Sequence, residues 1–227
     1  MEIHKKMPYK SGLGSSAASA VGSVFALNQL LDLNLSNETL LKFAMEGEKI
    51  ASWNQVHLDN IAACLYGGFI LASSQNPIDI ISIPVPDNLY CVILHPHIEI
   101  DTSDARQILP KIIGLAQAVE QWGNTAAVIS ALYQKDYNLL KRSVSDNIIE
   151  PIRARQIPFF YELKEKALEL GSLGCSIAGS GPSVFAFTET RGNAESVGIE
   201  MTRFYKQKNI PFDTYVTKIN TEGPRVL

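Results

Sequence analysis

The sequence is short of the features that mark several protein classes. Only three cysteines occur, Cys64, Cys91 and Cys175, widely spaced and each in apolar surroundings. They form no disulfide framework and read as reduced core residues of a cytoplasmic protein. Positive charge is not in excess, since 20 Lys and Arg stand against 23 Asp and Glu. A net charge of −3 offers no basic field to a nucleic-acid backbone, so no nucleic-acid partner is expected. Apolar runs such as 67–72 and 92–94 fall far below the roughly 20 residues of a membrane helix, so no membrane partner is expected either. Residues 1–6 are polar and lack the apolar centre of an export signal. Internal repeats and low-complexity tracts are missing too. What is present is a composition 46% hydrophobic and 19% charged, which supports a packed core in one or two domains.

Hydrophobic spacing predicts an α+β chain. After a glycine loop at residues 12–16, Ala17, Ala18, Ala20, Val21, Val24, Phe25, Leu27, Leu30 and Leu31 run on without proline, predicting a helix buried on more than one side. Ser36 ahead of Glu38, with Leu40, Leu41 and Ala44, predicts a second helix towards Ile50, and a short third one starts near His57. Gly67-Gly68 breaks the pattern, and strands are predicted over 69–72, 78–85 and 89–94. Pro84, Pro86, Asp87 and Asn88 make the candidate boundary, dividing the chain into 1–88 and 89–227. Beyond it, helices are predicted over 105–109, 112–122, 126–133, 139–144 and 159–170. Strands 175–177 and 184–187, a helix 194–207 and a strand 214–219 complete the chain. That order predicts an α+β layer with an antiparallel sheet.

The chemistry-bearing residues cluster in a few segments. Ser11-Gly12-Leu13-Gly14-Ser15-Ser16 places glycines and hydroxyls at a helix start. Unpaired N–H groups and a positive dipole end would meet phosphate there with no Cβ in the way. Ser15 or Ser16 would add a hydroxyl to the phosphates or to Mg²⁺. The loop is no Walker motif, because no Gly-Lys-Ser/Thr follows, and a serine-capped glycine turn that binds nothing reads equally well from spacing alone. A second glycine turn, Gly179-Ser180-Gly181, reads by itself as a hairpin turn. His57, Asp59 and Asn60 at a helix start are able to bind an ammonium and a hydroxyl, or simply to cap the helix. Glu46 and Glu48 read as solvated helix charges. Arg106 and Arg153 are natural clamps for a carboxylate, with a surface ion pair as the plain alternative and Arg155 as a competitor for Arg153. His95-Pro96-His97 reads as a turn after a strand rather than a metal site.

The string from Ser11 to Ser19, with Pro8 just ahead, resembles the central ATP motif of the GHMP kinases, and residues 174–187 resemble the C-terminal motif of that family. His57-Leu58-Asp59-Asn60 before Gly67-Gly68, and the segments 102–110 and 146–153, resemble the homoserine kinase branch. The resemblance implies a two-layer GHMP kinase fold, with a partial ribosomal-S5-like N-terminal ATP-binding domain over 1–88 and a ferredoxin-like C-terminal domain over 89–227. It implies transfer of phosphate from ATP to L-homoserine, giving O-phospho-L-homoserine, in threonine biosynthesis. Mevalonate or methylerythritol kinases, or a fragment that only binds ligand, are the alternatives.

By the same resemblance, Pro8, Ser11, Gly12, Leu13, Gly14, Ser15, Ser16 and Ala17 would hold ATP, and Ser15 and Glu48 would hold Mg²⁺, with Glu46 competing. His57, Asp59, Asn60, Thr102, Arg106, Arg153, Gly179, Ser180 and Gly181 would line the homoserine site. Ser15, Glu48 and Asp59 would stand closest to the chemistry, Asp59 by binding substrate rather than by taking a proton. A homodimer is compatible with the family. Its members begin some tens of residues earlier with a strand-rich segment, so this chain is expected to lack that part, and residues 52–56 replace the usual Ser/Gly-rich approach to His57.

Overall fold

The structure, a computed structural model, describes residues 2–51, 56–100, 105 and 107–226. The chain forms two compact units that are not contiguous in sequence: residues 1–9, 14–85 and 220–227 make the first, and 10–13 with 86–219 make the second.

In the first unit, helices α1 (Ser15–Leu30), α2 (Asn37–Ala51) and α3 (Leu58–Tyr66) precede an antiparallel pair, β1 (Phe69–Gln75) and β2 (Ile78–Ile83). Helix α2 starts where Ser36 predicts it, with the Ser36 hydroxyl accepting from the Thr39 N–H at 3.3 Å. Its buried face carries Leu40, Leu41 and Ala44, and that of α3 carries Leu58, Ile61, Ala62 and Leu65. Together with Ala17 and Val21 of α1 they form one apolar cluster. Both sets follow the three-and-four spacing of a single helical face. Gly67 ends α3 at φ 72, and a Cβ there would lie 2.6 Å from the Glu222 carbonyl oxygen. Only glycine lets the tail pass this close, where Gly68 N–H donates to the Asn220 carbonyl at 2.7 Å.

The second unit holds a four-stranded antiparallel sheet in the order β4-β5-β3-β6, with β3 Tyr90–Pro96, β4 Gly174–Ile177, β5 Val184–Thr188 and β6 Phe212–Lys218. Helices α4 (Leu115–Gln134), α5 (Tyr137–Ser143), α6 (Glu150–Arg153), which runs into a 3₁₀ turn at Ala154–Gln156, and α7 (Phe160–Glu169) separate β3 from β4. Helix α8 (Arg191–Gln207) separates β5 from β6. The second half is therefore a split βαβ arrangement of the ferredoxin type. Phe160 and Leu163 of α7 and Val197, Met201 and Tyr205 of α8 share one core with Val92, Leu94, Cys175, Val184 and Ala186 of the sheet.

Four details depart from the sequence expectation. Helix α1 is not buried on more than one side, since Leu27, Leu30 and Leu31 are exposed. The two helices predicted over 112–122 and 126–133 are one continuous helix that starts only at Leu115, after Gly114. Gly123 lies within it, and its cost of about 1 kcal/mol against alanine does not break a 20-residue helix. The turn expected at His95-Pro96-His97 comes later: β3 continues through Pro96, paired with Phe212, and the chain bends only at His97, where the Ile98 N–H donates to the Pro96 carbonyl at 2.8 Å and the His97 N–H to the Pro211 carbonyl at 2.8 Å. An edge-type proline is tolerated there because the partner strand asks no donor of it. The helix predicted from 194 begins at Arg191, capped by the Thr190 hydroxyl, which accepts from the Asn193 N–H at 3.2 Å. The helix expected over 105–109 includes Arg106, which lies outside the described residues.

Candidate active site

Helix α1 begins directly behind the glycine loop. Its cap position is Gly14, in the left-handed conformation at φ 76, and no side chain among the described residues caps the first turn. The side chain of Asn60 lies 3.5 Å from where a Cβ of Gly14 would stand. Ser15 opens the helix with only 8% of its surface exposed, and its buried hydroxyl has no hydrogen-bond partner among the described residues. A buried hydroxyl left unsatisfied costs about 1–3 kcal/mol, which marks a position waiting for a bond.

Ser16 donates its hydroxyl to Glu48 Oε2 at 2.8 Å, and His57 Nδ1 donates to Glu48 Oε1 at 3.0 Å. Glu48 is only 2% exposed, and Leu40, Ala44 and Glu48 recur every fourth residue on the inner face of α2. Glu46 faces outward, two-thirds exposed and paired with Lys49. Burial, reinforced by the charge of Glu48, raises the thiol of Cys64 above its ordinary value. Asp59 is exposed in the first turn of α3, where it accepts from the Asn60 N–H at 2.9 Å, and Asn60 is half-buried. Pro8 is half-buried ahead of the loop, and Ala17 is fully buried in α1.

The second unit carries the other glycine turn and the start of the loop. Gly12 sits at φ 75, and a Cβ there would fall 2.1 Å from the Ala178 carbonyl oxygen and 2.8 Å from that of Gly181. A Cβ on Gly179 would in turn fall 2.7 Å from the Gly12 carbonyl oxygen. The two glycine turns thus interlock backbone to backbone, which no larger residue permits. Ser11 is buried, and its hydroxyl accepts from the Leu13 N–H at 3.3 Å. The Ser180 hydroxyl makes only a long, 3.4 Å contact with the Gly181 carbonyl. Arg153 donates from Nη1 to the Gly179 carbonyl at 2.6 Å, whereas Arg155 is exposed.

Glu150 anchors the short helix that carries Arg153. Its carboxylate, 6% exposed, accepts from Lys164 Nζ and from the Ser176 hydroxyl, both at 2.6 Å, and so ties the short helix α6 to α7 and β4. Thr102 and Arg106 lie outside the described residues, as do residues 52–55.

The glycine loop and the contacts around it therefore gather Gly14, Ser15, Ser16, Glu48, His57 and Asn60 in one unit, and Ser11, Gly12, Arg153, Gly179 and Gly181 in the other. Sequence reasoning missed the bond from His57 to Glu48 and the Glu150 anchor. The fourth-residue recurrence of the buried α2 face was the available signal for placing Glu48 inside and Glu46 outside. The Glu150 anchor has no local signal, because its partners stand 14 and 26 residues away.

Against known proteins, the family described as GHMP kinases N terminal domain matches residues 1–68, and GHMP kinases C terminal matches residues 128–207. A homoserine kinase of Chlorobium phaeobacteroides strain BS1 is 46% identical over all of this chain and 71% of its own length. One from Xylella fastidiosa strain M12 is 34% identical over the whole chain and 69% of its own length. The crystal structure of homoserine kinase from Cytophaga hutchinsonii superposes with a TM-score of 0.95 at 50% identity, covering 98% of this chain and 70% of that one. Mevalonate kinase from L. major, at 20% identity and a TM-score of 0.69 over 91% of this chain and 66% of its own, shares the fold. Identity over the full chain and the fold agree on one branch: the chain belongs to the homoserine kinases of the GHMP kinase family.

Proposed function

We propose that this chain transfers the γ-phosphoryl group of ATP to the side-chain hydroxyl of L-homoserine, giving ADP and O-phospho-L-homoserine, a step towards threonine. The observation that carries the reading is the buried, unpartnered hydroxyl of Ser15 at an uncapped helix start, next in sequence to Ser16, whose hydroxyl holds the buried Glu48 carboxylate. Backbone N–H groups of Gly12, Gly14, Ser15 and Ser16, with Pro8, Leu13 and Ala17 flanking, hold the triphosphate, and glycine at 12 and 14 allows that approach. Mg²⁺ fits the donor set of one hydroxyl and one carboxylate at Ser15 and Glu48, which leaves its remaining positions to phosphate oxygens and water. When bound, it neutralises charge on the phosphates. Ser16 and His57 hold both carboxylate oxygens of Glu48 and so fix its orientation.

Asp59 and Asn60, with His57, take the ammonium and hydroxyl of homoserine. Arg153, with Arg106 and Thr102 from the family pattern, takes the α-carboxylate, and Gly179, Ser180 and Gly181 frame it. The homoserine oxygen forms its bond to the γ-phosphorus as the bond to the β,γ-bridging oxygen breaks. The hydroxyl proton passes to phosphate or solvent, with no side-chain base. The reading places the enzyme in the cytoplasm, supported by three unpaired cysteines, two of them buried. Purified protein given Mg-ATP should release ADP with homoserine and not with mevalonate. ADP release with mevalonate alone would overturn the substrate assignment.

A further inference from the structure

The His95-Pro96-His97 stretch takes no part in the proposed chemistry, yet His95 is only 5% exposed. The register that pairs Leu94 with Val184 brings His95 opposite Ser183, and His95 Nδ1 lies 3.0 Å from the Ser183 hydroxyl. Ser183 is itself fully buried. Its backbone points to two further places: its N–H donates to the Ser11 carbonyl at 3.2 Å, and its carbonyl accepts from the Ala178 N–H at 2.8 Å. One residue thus closes the turn from 178 to 183, holds the start of the glycine loop, and is anchored by its side chain to a central strand of the sheet.

From this junction we propose that His95 is a positioning residue for nucleotide binding: through Ser183 it fixes residues 11–13 of the glycine loop on the sheet. The inference rests on the reading of that loop as the ATP phosphate cradle. The imidazole is suited to the task. Burial, with His97 adding and Asp213 opposing, holds its titration below the ordinary value of 6.5, which favours the neutral ring at neutral pH. His97 is occupied elsewhere, its Nε2 lying 2.9 Å from Asp213 Oδ2. No group of three or more His, Cys, Asp or Glu among the described residues makes a metal site of this pair. Without the imidazole, the Ser183 hydroxyl would be left unsatisfied in a dry interior, and the main-chain bonds on either side of it would lose their fixed frame.

The test compares His95→Leu and His95→Asn, the latter keeping a polar atom near the place of Nδ1, in titrations with a fluorescent ATP analogue and Mg²⁺. His95→Leu should weaken binding about five- to tenfold, the loss of one buried hydrogen bond. It should raise the KM for ATP while leaving that for homoserine in place, and His95→Asn should restore most of the affinity. Ser183→Ala, a smaller change, should reproduce the weakening should His95→Leu not fold. Folded His95→Leu or Ser183→Ala protein with unchanged analogue affinity overturns the positioning role. Failure of the unaltered protein to bind the analogue overturns the reading of the loop, and the inference with it.

Discussion

Replacing Ser15 by alanine removes a hydroxyl that is buried at the first position of α1 and has no partner among the described residues. Relief of an unsatisfied buried hydroxyl is worth about 1–2 kcal/mol, and alanine is the better helix former by about 0.5 kcal/mol. The substitution leaves almost no cavity. Folding stability should therefore rise, by about 2–4 °C in Tm for each kcal/mol in a chain of this size. Function should move the other way. A hydroxyl bond to a charged ligand contributes about 1.5–3 kcal/mol, so affinity for Mg-ATP should fall at least about tenfold. Thermal melting by dye fluorescence and calorimetric titration with Mg-ATP read the two effects on the same preparation. A lower Tm with unchanged nucleotide affinity would refute the reasoning, since it would make the hydroxyl a structural group with an unseen partner.

Two further expectations concern the same site, and a third concerns the core. Glu48→Gln should lower kcat/KM for Mg-ATP about a hundredfold, the scale of losing one well-placed electrostatic group. Glu46→Gln should stay within about twofold, because an exposed helix pair contributes only about 0.3–0.5 kcal/mol; steady-state kinetics giving the reverse order would place the metal carboxylate wrongly. Gly12→Ala puts a Cβ 2.1 Å from a backbone oxygen at a φ of 75. It should cost about 2 kcal/mol or more in chemical denaturation and abolish detectable ATP binding. Burial pushes the thiols of Cys91 and Cys175 up to about 12 from an ordinary 9.0. Folding therefore favours their protonated forms, and the stability this gives is full below the ordinary value and lost as pH climbs from about 9 towards about 12. The urea midpoint should drop between pH 8 and pH 10.5, and a midpoint that rises over that range would contradict the assignment.

Much of the fold is legible because most elements carry a single periodic face. Leu40, Leu41 and Ala44, or Leu58, Ile61, Ala62 and Leu65, announce both a helix and its buried side. Glu48, which reads from the residues alone as a solvated charge, is buried: it lies one turn beyond Ala44 on the apolar stripe, and Ser16 and His57 supply the partners it needs there. The glycine loop was visible as local chemistry. Its interlock with the turn at Gly179 was not, because a contact across more than 160 residues leaves no trace in spacing. His95-Pro96-His97 misled for a related reason. A proline between two histidines signals a turn locally, whereas pairing with β6 holds the segment extended through Pro96 and defers the bend to His97. The single helix α4 shows tertiary and helical context outweighing one glycine.

The most direct test is a crystal structure of the protein with a non-hydrolysable ATP analogue, Mg²⁺ and L-homoserine. The account predicts the triphosphate on the N–H groups of Gly12, Gly14, Ser15 and Ser16, the metal on Ser15 and Glu48, and the homoserine hydroxyl facing the γ-phosphate, with its carboxylate on Arg153. A triphosphate bound away from the start of α1, or a metal held without Glu48, would contradict it.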